Sequence, residues 1–411
     1  MKHTIILFLI SSLSFSYVSS QENKVDPSKI KDDLNEIISD LGQNYIYLEE
    51  KNVDLACIKK YYENQIQHIK TKDQTVLLFE YLLDEFYDSH LILNTNVNES
   101  FRLFSPVYAL FKNEKPIVSS IWQSQIENLD QNLIGAELLK INGIDFSKAI
   151  EQFPTQCNNK NSLAVREWIL NKILAGQYNK PRVLTLKLHN NKIIQFDLDK
   201  LKVKSNTELL TSTIKDDIGI IRIHNSLGNN NLINEFDKAL HNLIHTKGLI
   251  IDLRNTVDGG NSYVARGIMG RFIDQSKPYQ KHWTIEQYDR DTKIERSWVE
   301  YVSPRKETYK KPIIILVGRW TGSMGEGIAI GFEGMERATI MGTEMERLAG
   351  EVNNFSFQNQ KFGYQLSTAK LFHIDGTPRE QYIPKHYIQQ STIKKDETLQ
   401  RGIELIKEII K

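Results

Sequence analysis

The most regular pattern in the chain is an unbroken apolar run over 312–317, PIIILV, closed by Gly318. A run of this length, rich in Ile and bounded by Pro and Gly, predicts a strand buried on both faces. A turn of small residues follows, Thr321-Gly322-Ser323-Met324-Gly325-Glu326. Then come a helical stretch with Gly327, Ala329 and Gly331 on one side and a second short strand over 337–341. Similar strands recur at 217–224 (DIGIIRIH) and 247–254 (KGLIIDLR), separated by an amphipathic helical pattern over 231–245. The second of them runs into Asn255-Thr256-Val257-Asp258-Gly259-Gly260 and a further helix through Phe272. Strand, helix, strand, Gly-rich turn, helix predicts βαβ units and a sheet with helices on its faces.

The flanking regions read differently. Apolar residues at i, i+3, i+4 spacing over 33–41, 56–68 and 74–87 predict a small helical subdomain ending in Asp88-Ser89-His90-Leu91. Over 101–201 the pattern turns to short strands. A hairpin is predicted at 106–111 and 116–122, and a second at 183–188 and 193–198. Between them "LLKINGIDF" gives a strand, an Asn142-Gly143 turn suited to positive φ angles, and a helix over 147–152. This order resembles a PDZ-like domain, a module that binds peptide ends or strands by β-augmentation. It equally suits a β-rich insert with no ligand. Farther on, 281–308 reads as a polar, aromatic excursion and 346–357 as a loop ending in a strand. A strand follows over 362–370, then the turn cluster Asp375-Gly376-Thr377-Pro378-Arg379-Glu380, and an amphipathic helix over 397–411 closes the chain.

Composition narrows the function classes. With 411 residues, 40% hydrophobic and 25% charged, the chain has room for several domains and a large core. A formal net charge of +1 without a dense basic run argues against nucleic acid or an anionic membrane surface as partner. At the N-terminus, Lys2 and His3 precede a short apolar stretch over 4–15, and Val18-Ser19-Ser20 ends in small residues. That is the pattern of a cleavable signal peptide over 1–20, and it predicts a secreted or periplasmic protein. No later stretch is long and apolar enough to span a bilayer. Two cysteines, Cys57 and Cys157, are too few for a disulfide framework or a Cys-based zinc site, and whether they pair is open. No metal-ligand spacing and no cofactor motif is found; the lone Gly259-Gly260 pair lacks the Lys-Ser/Thr of a phosphate loop. The expected organisation is a signal peptide (1–20), a helical subdomain (21–98), a PDZ-like domain (99–204) and a catalytic core (205–411).

A serine at a tight strand-to-helix turn exposes its hydroxyl beside backbone N–H groups and a helix N-terminus, where an oxyanion is stabilised. The same Gly-Ser turn also suits a plain helix cap. Two stretches taken together favour chemistry. "GLIIDLRNTVDGG" followed by "PIIILVGRWTGSMGEGIAIGFEGMERATIMG" resembles the C-terminal processing (tail-specific) serine peptidase family. That resemblance implies an α/β, crotonase/ClpP-like core, a peptide or protein substrate, no cofactor, and Ser323 as nucleophile. The tail-specific branch uses a lysine about two dozen residues beyond the serine, but no Lys occurs between Ser323 and Lys361. Arg347 cannot replace it, because a guanidinium stays protonated.

The tricorn-like and interphotoreceptor-retinoid-binding-protein-like branch matches better. It uses a serine, a histidine preceded by a small hydroxyl residue, and a late glutamate. Ser89-His90 and Glu380 stand at the corresponding places, with Tyr382 and Lys385 departing from the pattern around the glutamate. The implied chemistry has His90 take the Ser323 proton, with Glu380 and Ser89 orienting the imidazole. The N–H groups of Met324 and of Gly259 or Gly260 would hold the oxyanion. Two rival readings are a catalytically inactive peptide- or ligand-binding relative and a crotonase-type acyl-thioester enzyme. A secretory signal opposes the second, since CoA is a cytoplasmic cofactor.

Overall fold

The computed structural model describes residues 25–287 and 292–411, so the predicted signal peptide lies outside the described residues. The described residues open with four helices, α1 (Pro27–Asn44), α2 (Leu48–Lys51), α3 (Leu55–Ile66) and α4 (Lys72–Asp84). Helix α1 is capped by Asp26 with proline in its first turn, and Thr71 and Gln74 form a capping box at α4. A two-residue strand, β1 (Ile92–Leu93), follows.

The middle region holds β2 (Val107–Lys112), β3 (Lys115–Ile121), β4 (Glu137–Ile141), β5 (Ile144–Asp145), α5 (Phe146–Glu151), α6 (Leu163–Ala175), β6 (Val183–Lys187) and β7 (Ile193–Asp197). They form one antiparallel sheet in the order β2-β3-β4-β6-β7, with β5 beside β4. Both predicted hairpins and the Asn142-Gly143 turn are present, with φ of 50° and 82° at the turn. Helix α6 was not anticipated. Its apolar residues are spread round the axis instead of forming one stripe, and Val165, Ile169, Leu170 and Ile173 are all buried.

The third region contains β8 (Leu210–Lys215), β9 (Ile218–Ile223), α7 (Leu232–Asn242), β10 (Gly248–Asp252), α8 (Ser262–Met269), β11 (Lys277–Gln287), β12 (Lys293–Val302), β13 (Ile313–Val317), α9 (Met324–Gly334), β14 (Thr339–Gly342), β15 (Glu351–Ser356), β16 (Gly363–Phe372), β17 (His386–Tyr387) and α10 (Glu397–Ile409). Its central sheet has the order β17-β14-β13-β10-β9-β8, parallel except for the unanticipated edge strand β8. Every residue of β10 and β13 is buried, as continuous apolar runs demand. Helices α7, α8 and α9 cover one face of the sheet and α10 the other, giving two apolar clusters divided by the strands. Among the described residues no helix is long and apolar enough to cross a membrane.

The helical segment does not close its core alone. Ile37, Leu41, Phe79, Leu82 and Leu91 pack with Ala349, Phe357, Tyr364 and Leu366, and β1 pairs with β16. Cys57 and Cys157 form a disulfide that ties α3 to the middle region. Beside it the Glu85 carboxyl accepts the N–H groups of Gln156, Cys157 and Asn158, so the covalent link and a buried polar link coincide.

Candidate active site

Strand β13 ends at Val317, and the chain turns through Gly318 to Gly322 before α9 starts at Met324. Ser323 takes φ 47° and ψ −108°, a region that a side chain with a Cβ rarely adopts. The turn is held down at several points. The Thr321 hydroxyl donates to the Leu253 carbonyl at the end of β10, and the Gly322 N–H donates to the Thr256 carbonyl. The Ser323 N–H donates to the Glu326 carboxyl at 2.9 Å. Gly259, at φ 67°, lies against the serine: a methyl there would sit 2.4 Å from the Ser323 Cβ and 3.0 Å from the Met324 nitrogen.

The two glycines differ in what their N–H groups do. The Gly259 N–H is committed to the Thr256 carbonyl at 3.0 Å. Neither the Gly260 nor the Met324 N–H donates to any group among the described residues. Of the expected oxyanion donors, Met324 and Gly260 are therefore unoccupied, whereas Gly259 supplies close approach in place of a donor.

His90 is buried just beyond α4. Its Nδ1 is 2.9 Å from the Ala349 carbonyl, across 259 residues of sequence. A carbonyl only accepts, so Nδ1 carries the proton and Nε2 keeps its lone pair. Burial, with Arg379 adding repulsion, pushes the imidazole down to about 4, which keeps it neutral at ordinary pH. Among the described hydrogen bonds none joins His90 to Ser323.

Glu380 and Ser89 do not orient the ring in this conformation, contrary to the roles expected from sequence. The Ala349 carbonyl occupies the Nδ1 side. The exposed Ser89 hydroxyl accepts from the Trp168 indole at 3.1 Å. Glu380 Oε2 is buried without a hydrogen-bond partner, and burial raises its carboxyl above the ordinary range. Glu380 sits on a short 3-10 turn (Arg379–Gln381), and it is the neighbouring Arg379 that bonds to the loop holding His90.

These groups border a cavity of about 460 Å³. Tyr47, Asp88 and Ser89 line it from the helical segment, Tyr108, Glu167 and Trp168 from the middle region, and Arg319, Glu346, Ala349 and Glu380 from the core. Ser323 and His90 are not themselves on its wall. Among the described residues no group of His, Cys, Asp or Glu is gathered as a metal ion would require.

Residues 217–388 match the family model of peptidase family S41, and residues 26–84 match that of the tricorn protease C1 domain. The segment over 217–388 is therefore similar to peptidase family S41, and the chain is a serine-type peptidase. The S41 match spans the Ser323 turn and the Gly259-Gly260 turn, and the tricorn C1 match spans α1 to α4. In fold, the peptidase is similar to mature CPAF complexed with lactacystin, at 14% identity and a TM-score of 0.61 over 93% of this chain and 98% of that one. It is also similar to a photosystem II D1 C-terminal processing protease (13%, 0.52, 88% and 93%). A putative peptidase from Parabacteroides merdae is a third similar structure (14%, 0.53, 93% and 97%). No curated protein matches the sequence.

Two features of the peptidase were missed in the sequence. One is Glu326, whose signal was its place three residues after a serine that opens a helix. The other is the half-buried Glu346, whose Oε2 is buried beside Gly322 and whose carboxyl is pushed up to about 8 by burial. Nothing in the local pattern around Glu346 announces it.

Proposed function

We propose that the chain is an exported endopeptidase in which Ser323 attacks the peptide carbonyl and His90 Nε2 takes the serine proton. The observation that carries this reading is the Ser323 turn, with its positive φ, the unoccupied N–H of Met324 next to it and Gly259 packed against it. An N–H donor aimed at a developing oxyanion supplies a few kcal/mol of transition-state stabilisation. A neutral His90 with a free lone pair suits a general base. Its proton would pass to the leaving amine, and water would then release the acyl group by the same steps reversed. Closure on substrate must bring His90 and Ser323 into hydrogen-bond reach, with Glu380 stabilising the imidazolium from the cavity.

The core sheet, with helices on both faces, supports a crotonase/ClpP-like catalytic unit. For the middle region we favour a PDZ-like fold in a structural role. The free edge of β2 is already occupied: Asn171 pairs with both the N–H and the carbonyl of Ala109, and Glu167 accepts the Phe111 N–H. A peptide could not add to that edge without expelling both side chains. The disulfide supports an oxidising compartment, secreted or periplasmic.

The deep burial of His90 and its carbonyl partner favour a second reading, a ligand-binding relative without turnover. Treatment with a fluorophosphonate probe separates the two. Labelling on Ser323 that disappears in Ser323→Ala supports the peptidase. No labelling and no cleavage of a denatured protein substrate would leave the binding relative.

A further inference from the structure

The loop over 347–350 links the serine turn to His90 through hydrogen bonds, and it is gripped from two sides. From the α9 side, the buried Glu326 carboxyl accepts the N–H of Arg347 at 2.9 Å and of Leu348 at 3.2 Å. The same carboxyl accepts the Ser323 N–H at 2.9 Å. From the opposite side, Arg379 Nη2 donates to the carbonyls of Leu348 at 3.0 Å and Gly350 at 2.9 Å. Those carbonyls flank that of Ala349, which faces His90 Nδ1 and also accepts the Ser367 hydroxyl at 2.7 Å. Arg347 and Gly350, at either end of the loop, both have positive φ, 64° and 69°. A backbone bent this sharply at both ends keeps its shape only when its surroundings determine it.

We propose that Glu326 is a positioning residue of the peptidase that ties the nucleophile to its base, with Arg379 as its counterpart across the loop. One carboxyl fixes both the N–H of Ser323 and the loop whose Ala349 carbonyl sets the tautomer and direction of His90. Neither residue touches the reacting atoms. Their effect is on the alignment of Ser323 with Nε2, where a displacement of about 1 Å costs on the order of 100-fold in rate. Arg379 and Glu346 are the charged groups that face Glu326, and Arg379 and Asp88 those that face His90.

This inference rests on the proposed Ser-His mechanism, and its test is chosen to fail separately from it. Glu326→Gln keeps the size of the side chain but sets an amide NH2 against N–H donors. In the disulfide-intact full chain, it should lower kcat on a fluorogenic peptide about 100-fold with KM little changed. It should slow fluorophosphonate labelling to a similar extent. Imidazole nitrogen NMR should show His90 losing its fixed Nδ1–H tautomer and titrating closer to an ordinary histidine. Arg379→Lys, which can reach only one of the two carbonyls, should show the same changes at about one tenth of the size. A folded Glu326→Gln with wild-type labelling and an unchanged His90 titration overturns the proposal. If the wild type neither cleaves nor labels, the peptidase mechanism falls and the NMR comparison still decides the role of Glu326. If Glu326→Gln does not fold, Arg379→Lys decides it by the same signal.

Discussion

Ser323 and His90 are held in opposite ways. The serine is placed by its own neighbourhood: a fully buried strand, a turn anchored on the adjacent Gly-rich loop, and the first turn of α9. The histidine stands at the edge of a different segment and is fixed by a carbonyl 259 residues away. One half of the site is built into the mostly parallel central sheet. The other half exists only once the helical segment has docked on β15 and β16. The lesson is that losses at the two positions should look alike in turnover but differ in how they depend on the rest of the molecule.

The largest effect is expected at the pair itself. Ser323→Ala and His90→Ala should each cut kcat by roughly 10⁴-fold or more while leaving the circular dichroism unchanged. A His90→Ala enzyme running at full rate would sink the proposed base. In the wild type, the acid limb of kcat/KM should fall near pH 4 instead of 6.5, because His90 is held neutral by burial and protonates only below that point.

Next comes the serine side alone. Gly259→Ala forces a methyl 2.4 Å from the Ser323 Cβ at φ 67° and should lower activity by about 100-fold. The matching change at Gly143, which also has positive φ but faces open space, should cost about 1 kcal/mol and leave activity intact. Equal activity losses in the two variants would mean that close packing on the serine is unimportant.

The histidine side is tested by the disulfide. Cys57 and Cys157 close a loop with a sequence separation of 100, and replacing both with alanine should cost up to about 4–5 kcal/mol in the chain-entropy model. Chemical denaturation should then show the α1–α4 segment loosening before the central sheet. Simultaneous unfolding of both would contradict the division drawn here.

Glu380→Gln should be milder, about 10-fold in kcat, since the carboxyl does not hold the ring in the resting state and acts only on the charged imidazole. Complete loss of activity would instead assign it an obligatory part. The smallest effect concerns Glu346. Its carboxyl is raised to about 8 in the folded state from an ordinary value of 4.5. The folded chain therefore holds a proton that the unfolded chain releases, and stability falls as pH rises from about 4.5 to 8. Glu346→Gln removes that slope, so its melting temperature should match the wild type near pH 5 and exceed it at pH 8. The gap should be about 2–4 °C for each kcal/mol. A gap of the same size at both values of pH would mean that Glu346 does not titrate in this range.

What the sequence determined by itself was everything carried by short-range periodicity. The apolar run over 312–317 became β13, the Asn142-Gly143 turn stands where the pattern put it, and Ser323 sits at the predicted strand-to-helix turn. These depend on residues within a few positions of one another, and backbone sterics with side-chain burial decide them locally. Helix α6 escaped because a helix buried on most sides has no polar face to mark it. Only the tertiary structure decided that Ala349 grips His90 and that Glu326 and Arg379 clamp the loop between base and nucleophile. The same holds for Cys57 bonding to Cys157, and for Asn171 and Glu167 closing the edge of β2. Each of these contacts joins segments far apart along the chain. Their geometry is set by how whole elements pack, which no local pattern encodes.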